Sequence, residues 1–183
     1  EHGVIDYVEN ATGALDALGA DDAPTDLGLR LDYAIGHILI DEFQDTSINQ
    51  FRLLERLTAG WETGDGRTLF IVGDPMQSIY RFREAEVGLF LRAKEQGIGL
   101  LALTPLTLSA NFRSTKTVID WINNTFEKTF PRVENISDGA IRYNHADAIL
   151  PDTEGTAIEF HPFVDATKSD EAIKIVSLIQ NPD

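Results

Sequence analysis

Cysteine is absent from this chain, which excludes disulfides and thiolate metal sites and fits a cytoplasmic protein. No run of 18 apolar residues occurs, so no membrane-spanning helix is expected. No basic-then-apolar leader opens the sequence. Basic residues are scarce, with 15 Lys and Arg against 30 Asp and Glu and a formal charge of −15. That balance argues against nucleic-acid binding by bulk charge. No G-x-x-x-x-G-K-[ST] phosphate loop occurs either. The nearest stretch, Thr63-Gly64-Asp65-Gly66-Arg67-Thr68, lacks both the Lys and the spacing. What is present is a 43% hydrophobic fraction with ten Phe among 183 residues, enough for one sizeable core or two small ones.

The charge is unevenly placed. Residues 1–66 carry 14 acids against 3 bases, whereas residues 67–94 carry 3 acids against 5 bases and residues 111–132 carry 2 against 4. Apolar spacing predicts a helix over Ile5–Leu18, then an acidic loop Gly19–Asp26 with the linker signal Asp21-Asp22-Ala23-Pro24. Ala34–Ile40 and Thr68–Val72 are apolar runs of strand length. Ser47 can cap a helix whose apolar stripe is Ile48, Phe51, Leu54 and Leu57, broken by Gly60–Gly66. A helix from about Glu84 to Gln96 should bury Val87, Phe90 and Leu91. Leu100–Leu108 is strand-like although Pro105 interrupts it. A helix starting at Ser114 or Thr115 runs to about Phe130, with Val118, Ile119, Ile122 and Phe126 on one side. Pro131–Pro151 is irregular. Thr156–Pro162 alternates like a strand. Ser169–Gln180 is a last helix that should bury Ala172, Ile175, Val176 and Ile179. Strands alternating with helices predict an α/β fold with a largely parallel sheet.

Three segments carry chemistry. In Ile38-Leu39-Ile40-Asp41-Glu42-Phe43-Gln44-Asp45-Thr46, an apolar strand runs into two adjacent carboxylates. At the end of a buried parallel strand, the first can reach a magnesium ion that carries nucleotide phosphates. The second can orient or deprotonate a water beside the γ-phosphate. The plain alternative is a solvated pair ahead of a helix capped by Asp45 or Thr46. In Val72-Gly73-Asp74-Pro75-Met76-Gln77-Ser78-Ile79-Tyr80-Arg81-Phe82-Arg83, a strand ends at a glycine, and a carboxylate and an amide follow. Gln77 both donates and accepts, which suits contact with a phosphate oxygen or a water. Tyr80 and Phe82 interleave with Arg81 and Arg83, a pattern that can stack bases and grip phosphates. The alternative is two core aromatics between surface charges. In Leu108-Ser109-Ala110-Asn111-Phe112-Arg113-Ser114-Thr115, an Arg sits at a strand-to-helix junction, from which it could reach a γ-phosphate. Taken alone, that octet is an ordinary helix start.

In this order, DEFQDT, GDPMQSIYRFR and LSANFRST resemble motifs II, III and IV of the UvrD/RecB branch of superfamily 1 DNA helicases. The GDPxQSIYxFR form, with Pro24–Tyr33 ahead of it, looks closest to the RecB and AddA helicase-nuclease subunits, the exonuclease V beta subunit type. The resemblance covers roughly residues 22–130. It implies a RecA-like parallel sheet flanked by helices, of the P-loop NTPase class. Residues 1–103 would be the C-terminal part of a first RecA-like domain and residues 104–183 the beginning of a second. It implies ATP and Mg2+ as cofactors, with Asp41 holding the metal, Glu42 as the base for the attacking water and Asp74 supporting its loop. Gln77 would couple the γ-phosphate to DNA, Phe112 would stack on the adenine, and Arg113 would be the finger on the γ-phosphate. Tyr80, Phe82 and Arg83 would line a single-stranded DNA path, with Phe82 where relatives often carry Trp. Arg81 stands where UvrD-like relatives often have Gly, and it receives no role.

The expected partners are single-stranded DNA, duplex ends and other subunits of a helicase-nuclease complex, with no membrane. The missing phosphate loop, and the missing motifs V and VI, make the chain read as an internal fragment. Alone it is expected to be inactive. The parent is expected to couple ATP hydrolysis to translocation and unwinding in recombinational repair. The competing expectation is a non-catalytic helicase-like interaction module of a repair complex. The carboxylates, Gln77 and Arg113 favour the motor, because a silent module has no physical need for them.

Overall fold

The computed structural model describes residues 7–20, 23–79, 86–152 and 158–180. The chain forms two compact units, one of residues 1–107 with 130–143 and one of residues 108–129 with 144–183.

The first unit opens with helix α1, Tyr7–Leu18, whose Leu15 and Leu18 are buried. A two-residue hairpin, β1 (Gly19–Ala20) with β2 (Ala23–Pro24), turns the chain into helix α2, Asp26–Ala34. The expected acidic loop is therefore shorter, and α2 is an element that spacing alone does not reveal. Thr25 caps α2, its hydroxyl accepting the Gly28 amide at 3.2 Å. Strand β3, His37–Ile40, pairs in parallel with strand β4, Thr68–Ile71, in the register His37↔Thr68 to Ile40↔Ile71.

Between them runs helix α3, Ile48–Leu57, which is set by a full capping box. Ser47 Oγ accepts the Gln50 amide and Gln50 Oε1 accepts the Ser47 amide. The loop from α3 to β4 is pinned by Arg67. Its guanidinium donates to Asp65 and Asp32, each at 2.7 Å, and to the Gly60 carbonyl, and it lies 5.3 Å from the centre of the Trp61 ring. The Glu62 and Arg67 backbone amides and the Arg67 guanidinium hold the Asp65 carboxyl down at about 2.

Helix α4, Val87–Gln96, closes this core. Its buried residues are Leu89, Leu91 and Ala93, while the expected Val87 and Phe90 are half-buried. Phe43, Phe51, Leu89, Ala93 and Ile98 form the centre, with Ile40, Leu69, Ile71 and Phe90 packed around it. Phe43 lies with its ring centre 6.2 Å from those of both Phe51 and Phe90. Such tilted pairs stabilise beyond their area.

In the second unit, strand β5 (Ala110–Thr115) pairs in parallel with strand β6 (Asp147–Leu150), with a register shift between Asn111 and Thr115. Helix α5, Lys116–Phe126, follows β5 directly and buries Ile119. Asn123 binds the Ala146 backbone through both ends of its amide, at 2.9 and 3.1 Å, and so ties α5 to the approach of β6. Helix α6, Lys168–Gln180, completes the described part.

Four expectations fail here, the first being an irregular Pro131–Pro151, which holds β6 because β5 supplies a partner. Residues 102–109 form no strand, because Pro105 cannot donate to a ladder and no partner strand lies alongside among the described residues. Residues 158–162 form none either, and the start of that expected strand lies outside the described residues. The α6 stripe is solvent-facing, with Ile175 and Val176 each 50% exposed and Ile179 74%. The two parallel pairs, flanked by helices, form a mixed α/β architecture whose sheets have two strands each.

Candidate phosphate-handling site

β3 and β4 end side by side, and everything in the site of the first unit follows from that. The Val72 amide donates to the Ile40 carbonyl at 2.8 Å, and the Phe43 amide donates to the Val72 carbonyl at 3.0 Å. The two segments thus stay paired for one step beyond the strands. Asp41 and Glu42 emerge at this edge, both exposed. Immediately after them, Phe43 and Gln44 dive into the core, each 1% exposed. The turn between these states needs an unusual backbone. Glu42 has φ 52° and ψ 39°, in the left-handed region, where a side chain with a Cβ is disfavoured. Such local strain persists only where the surrounding packing enforces it. Here the buried Phe43 ring and Gln44 side chain do so.

The loop after β4 is organised from the other side. Asp74 caps a 3-10 turn, Pro75–Gln77, its Oδ1 accepting the Met76 amide at 2.9 Å. Its Oδ2 accepts from Gln77 Nε2 at 2.8 Å, so two of the expected site residues are in direct contact. Gln44 joins the two loops. Its Nε2 donates to Glu42 Oε2 at 2.6 Å, its Oε1 accepts the Asp74 amide at 3.0 Å, and its carbonyl accepts the Ser78 hydroxyl at 3.3 Å. Sequence reasoning passes over Gln44, because a single amide in an apolar-acidic segment carries no periodic signal. Asp45, in sequence no more than a possible cap, is half-buried with one carboxylate oxygen enclosed and unpartnered. Burial, followed by the nearby Glu42 carboxylate, pushes its pKa up.

Gly73 is required for space. A Cβ there would lie 2.6 Å from Gln44 Oε1 and 3.0 Å from both the Phe43 nitrogen and Phe90 Cε2. Gly73→Ala should therefore destabilise the protein by roughly 1–3 kcal/mol, the usual cost of overpacking. Urea unfolding beside the wild type checks this, and an unchanged midpoint would show that the loop simply gives way.

In the second unit, Phe112 and Arg113 stand together on β5, both exposed, Phe112 at 69%. Asn111 shapes this stretch, its Oδ1 accepting the Arg113 amide at 3.0 Å and the Ser114 amide at 2.9 Å. That double acceptance accompanies the register shift in the β5–β6 ladder. Asn111 is, with Gln44, a residue that shapes its loop and to which the sequence assigns no role. Tyr80, Phe82 and Arg83 lie outside the described residues.

A carboxylate pair beyond the carboxyl end of one parallel strand, beside a polar loop from the next, is the arrangement of ligand sites in open parallel α/β sheets. The chain belongs to the UvrD/REP helicase family, whose N-terminal domain matches residues 4–97. It is 34% identical over 180 residues to an ATP-dependent helicase/nuclease subunit from Exiguobacterium sibiricum, covering 96% of this chain and 14% of that protein. The protein of the same name from Desulfitobacterium hafniense is 36% identical over 153 residues, covering 80% and 11%. That from Lysinibacillus sphaericus is 38% identical over 132 residues, covering 69% and 10%. This chain thus spans between 10% and 14% of the length of these three curated relatives. Among the described residues, no helix is long and apolar enough to cross a membrane.

Proposed function

We propose that this chain is the motor segment of an ATP-dependent DNA helicase-nuclease subunit of the cytoplasm, with two RecA-like parts, residues 1–103 and 104–183. The observation that carries the reading is the strand-end pair Asp41–Glu42, locked in a strained turn and linked through Gln44 to the Asp74–Gln77 loop. Membership of the UvrD/REP family and the names of the relatives support it. In this reading Asp41–Thr46, Gly73–Arg83 and Leu108–Thr115 serve as helicase motifs II, III and IV.

The chemistry of the donors fits a nucleotide-borne magnesium ion. No cluster of three or more metal-ligating side chains exists among the described residues. One exposed carboxylate, Asp41, would supply the protein's ligand, and phosphate and water oxygens the others, as magnesium prefers. When bound, the ion neutralises charge on the β- and γ-phosphates. Glu42 takes the proton of the attacking water. Gln77, held by Asp74, contacts the γ-phosphate. By the family resemblance, Arg113 would stabilise charge on a transferring phosphoryl group, and Phe112 would pack on an adenine. Lacking a phosphate loop of its own, the isolated chain is not expected to hydrolyse ATP at a useful rate.

DNA contact is expected to be local and led by stacking, because a net charge of −15 supplies no long-range attraction. Tyr80, Phe82 and Arg83 would carry it. Stacking is worth roughly 1–3 kcal/mol per base, so Phe82→Ala in the full-length protein should weaken single-stranded DNA binding by about one to two decades. Nucleotide binding should persist. Paired titrations of labelled oligonucleotide and labelled ATP test the reading. Unchanged DNA affinity would make Phe82 a packing residue, and failure of the wild type to bind either ligand would overturn the motor.

A further inference from the structure

We infer that Gln44 is the positioning residue that ties the water-activating Glu42 to the phosphate-sensing loop. The inference rests on the motor reading above and deepens it. Four polar residues form one unbroken chain of hydrogen bonds across the ends of β3 and β4. Gln77 Nε2 donates to Asp74 Oδ2 at 2.8 Å, the Asp74 amide donates to Gln44 Oε1 at 3.0 Å, and Gln44 Nε2 donates to Glu42 Oε2 at 2.6 Å. Gln44 alone among the four has both ends of its side chain engaged on different loops. An amide can do so without taking up or losing a proton, since it accepts at its oxygen and donates at its nitrogen.

The link is stiff. Gln44 is 1% exposed, so water cannot substitute for either partner. The space beside its Oε1 is closed by Gly73, where even a methyl group would sit at 2.6 Å. Its backbone carbonyl is held by Ser78 at 3.3 Å. A shift of the Asp74–Gln77 loop therefore cannot leave Glu42 where it was. Movement of Asp74 pulls on Gln44 Oε1, and the rigid amide passes that displacement to the Glu42 carboxylate. Glu42 itself, exposed and on a left-handed residue, has no other hydrogen bond to its side chain among those described. Gln44 thus sets the carboxylate's direction as well as its distance. The consequence is that events sensed at Gln77 alter the turnover step rather than the affinity for nucleotide.

The test uses the full-length protein that carries this segment. Gln44→Met keeps the length but removes both the acceptor for the Asp74 amide and the donor to Glu42. Steady-state hydrolysis with saturating single-stranded DNA is expressed per nucleotide-binding site, so that unfolded molecules do not count. A misplaced reacting group costs up to roughly 10²-fold, and kcat is expected to fall by about 10–100-fold. KM for ATP should stay within about two-fold, the signature of a loss confined to the transition state. The double variant Glu42→Gln with Gln44→Met should be no slower than Glu42→Gln alone, since residues acting as one unit are not additive. Gln44→Leu, which also drops both bonds, should show the same split and serves if the Met variant does not fold. An unchanged kcat in either variant, or losses that multiply with Glu42→Gln, would overturn the inference. If Glu42→Gln itself turns over normally, the motor reading fails first. If Glu42→Gln is slow and Gln44→Met is not, only the positioning role fails.

Discussion

Glu42→Gln in the full-length protein is expected to bind ATP as the wild type does and to turn it over roughly 10²–10⁴-fold more slowly, the usual weight of a general base. The substitution is nearly isosteric. The Gln44 amide that donates to Glu42 Oε2 at 2.6 Å can donate equally to an amide oxygen, so the turn need not rearrange. The left-handed backbone at residue 42 is imposed by its buried neighbours, Phe43 and Gln44, and both are untouched. Loss of turnover with an unchanged melting temperature thus isolates the carboxylate's chemistry from its place in the fold. Rapid-quench hydrolysis beside equilibrium nucleotide binding provides the check. A variant that hydrolyses at the wild-type rate would reduce the Asp41–Glu42 step to a solvated turn.

Arg113→Ala is expected to cost still more, roughly 10³–10⁵-fold in hydrolysis if the guanidinium meets the γ-phosphate as an arginine finger does. The competing role, a helix-start residue, finds little support in the geometry. Arg113 lies within β5, three residues before α5 begins. The helix N-terminus is served by others, since Asp152 Oδ1 accepts the Thr117 amide at 2.6 Å. That amide and the Thr117 side chain also hold the Asp152 carboxyl below its usual range. The Arg113 side chain is exposed, and its backbone amide donates to Asn111 Oδ1. Turnover and thermal unfolding measured on the same variant separate the two roles. A shift in melting temperature with normal turnover would assign Arg113 to the helix start.

Much of the first unit is legible in the sequence because its signals are local. Ser47 with Gln50 three residues on is a capping box, and Phe51 lies on a helical stripe that the core takes up. The apolar runs before Asp41 and Gly73 become β3 and β4 because parallel strands are nearly continuous in apolar residues. What escapes is non-local. β6 is four residues beginning with Asp147, and only pairing with β5, more than thirty residues earlier, makes it a strand. Helix α2 contains Gly28 and buries no residue, so it shows no clear stripe. In α6 the amphipathic pattern identifies a face, but a pattern cannot say what covers it. Of the apolar run Leu100–Leu108, Leu101 bridges back to Ile98, and the rest stays irregular with no partner strand among the described residues.

The candidate site divides in the same way. Asp41, Glu42, Asp74 and Gln77 are recognisable by type and spacing, because a carboxylate at a strand end announces itself. Gln44 and Asn111 are not. Each acts through hydrogen bonds to atoms whose positions depend on the folded loop, and neither differs in sequence from an ordinary polar residue. Gly73 lies between these cases. A strand-end glycine is visible as a turn signal, yet its reason, the close approach of Gln44 Oε1, appears only in three dimensions.

The most direct measurement is magnesium-dependent ATP hydrolysis by the full-length protein, with and without single-stranded DNA, compared with its Asp41→Ala variant. The expected result is hydrolysis stimulated by DNA in the wild type and lost in the variant, with both proteins equally folded. Hydrolysis that is absent from the wild type, or indifferent to Asp41→Ala, would contradict the motor and leave a helicase-like module that serves interaction alone.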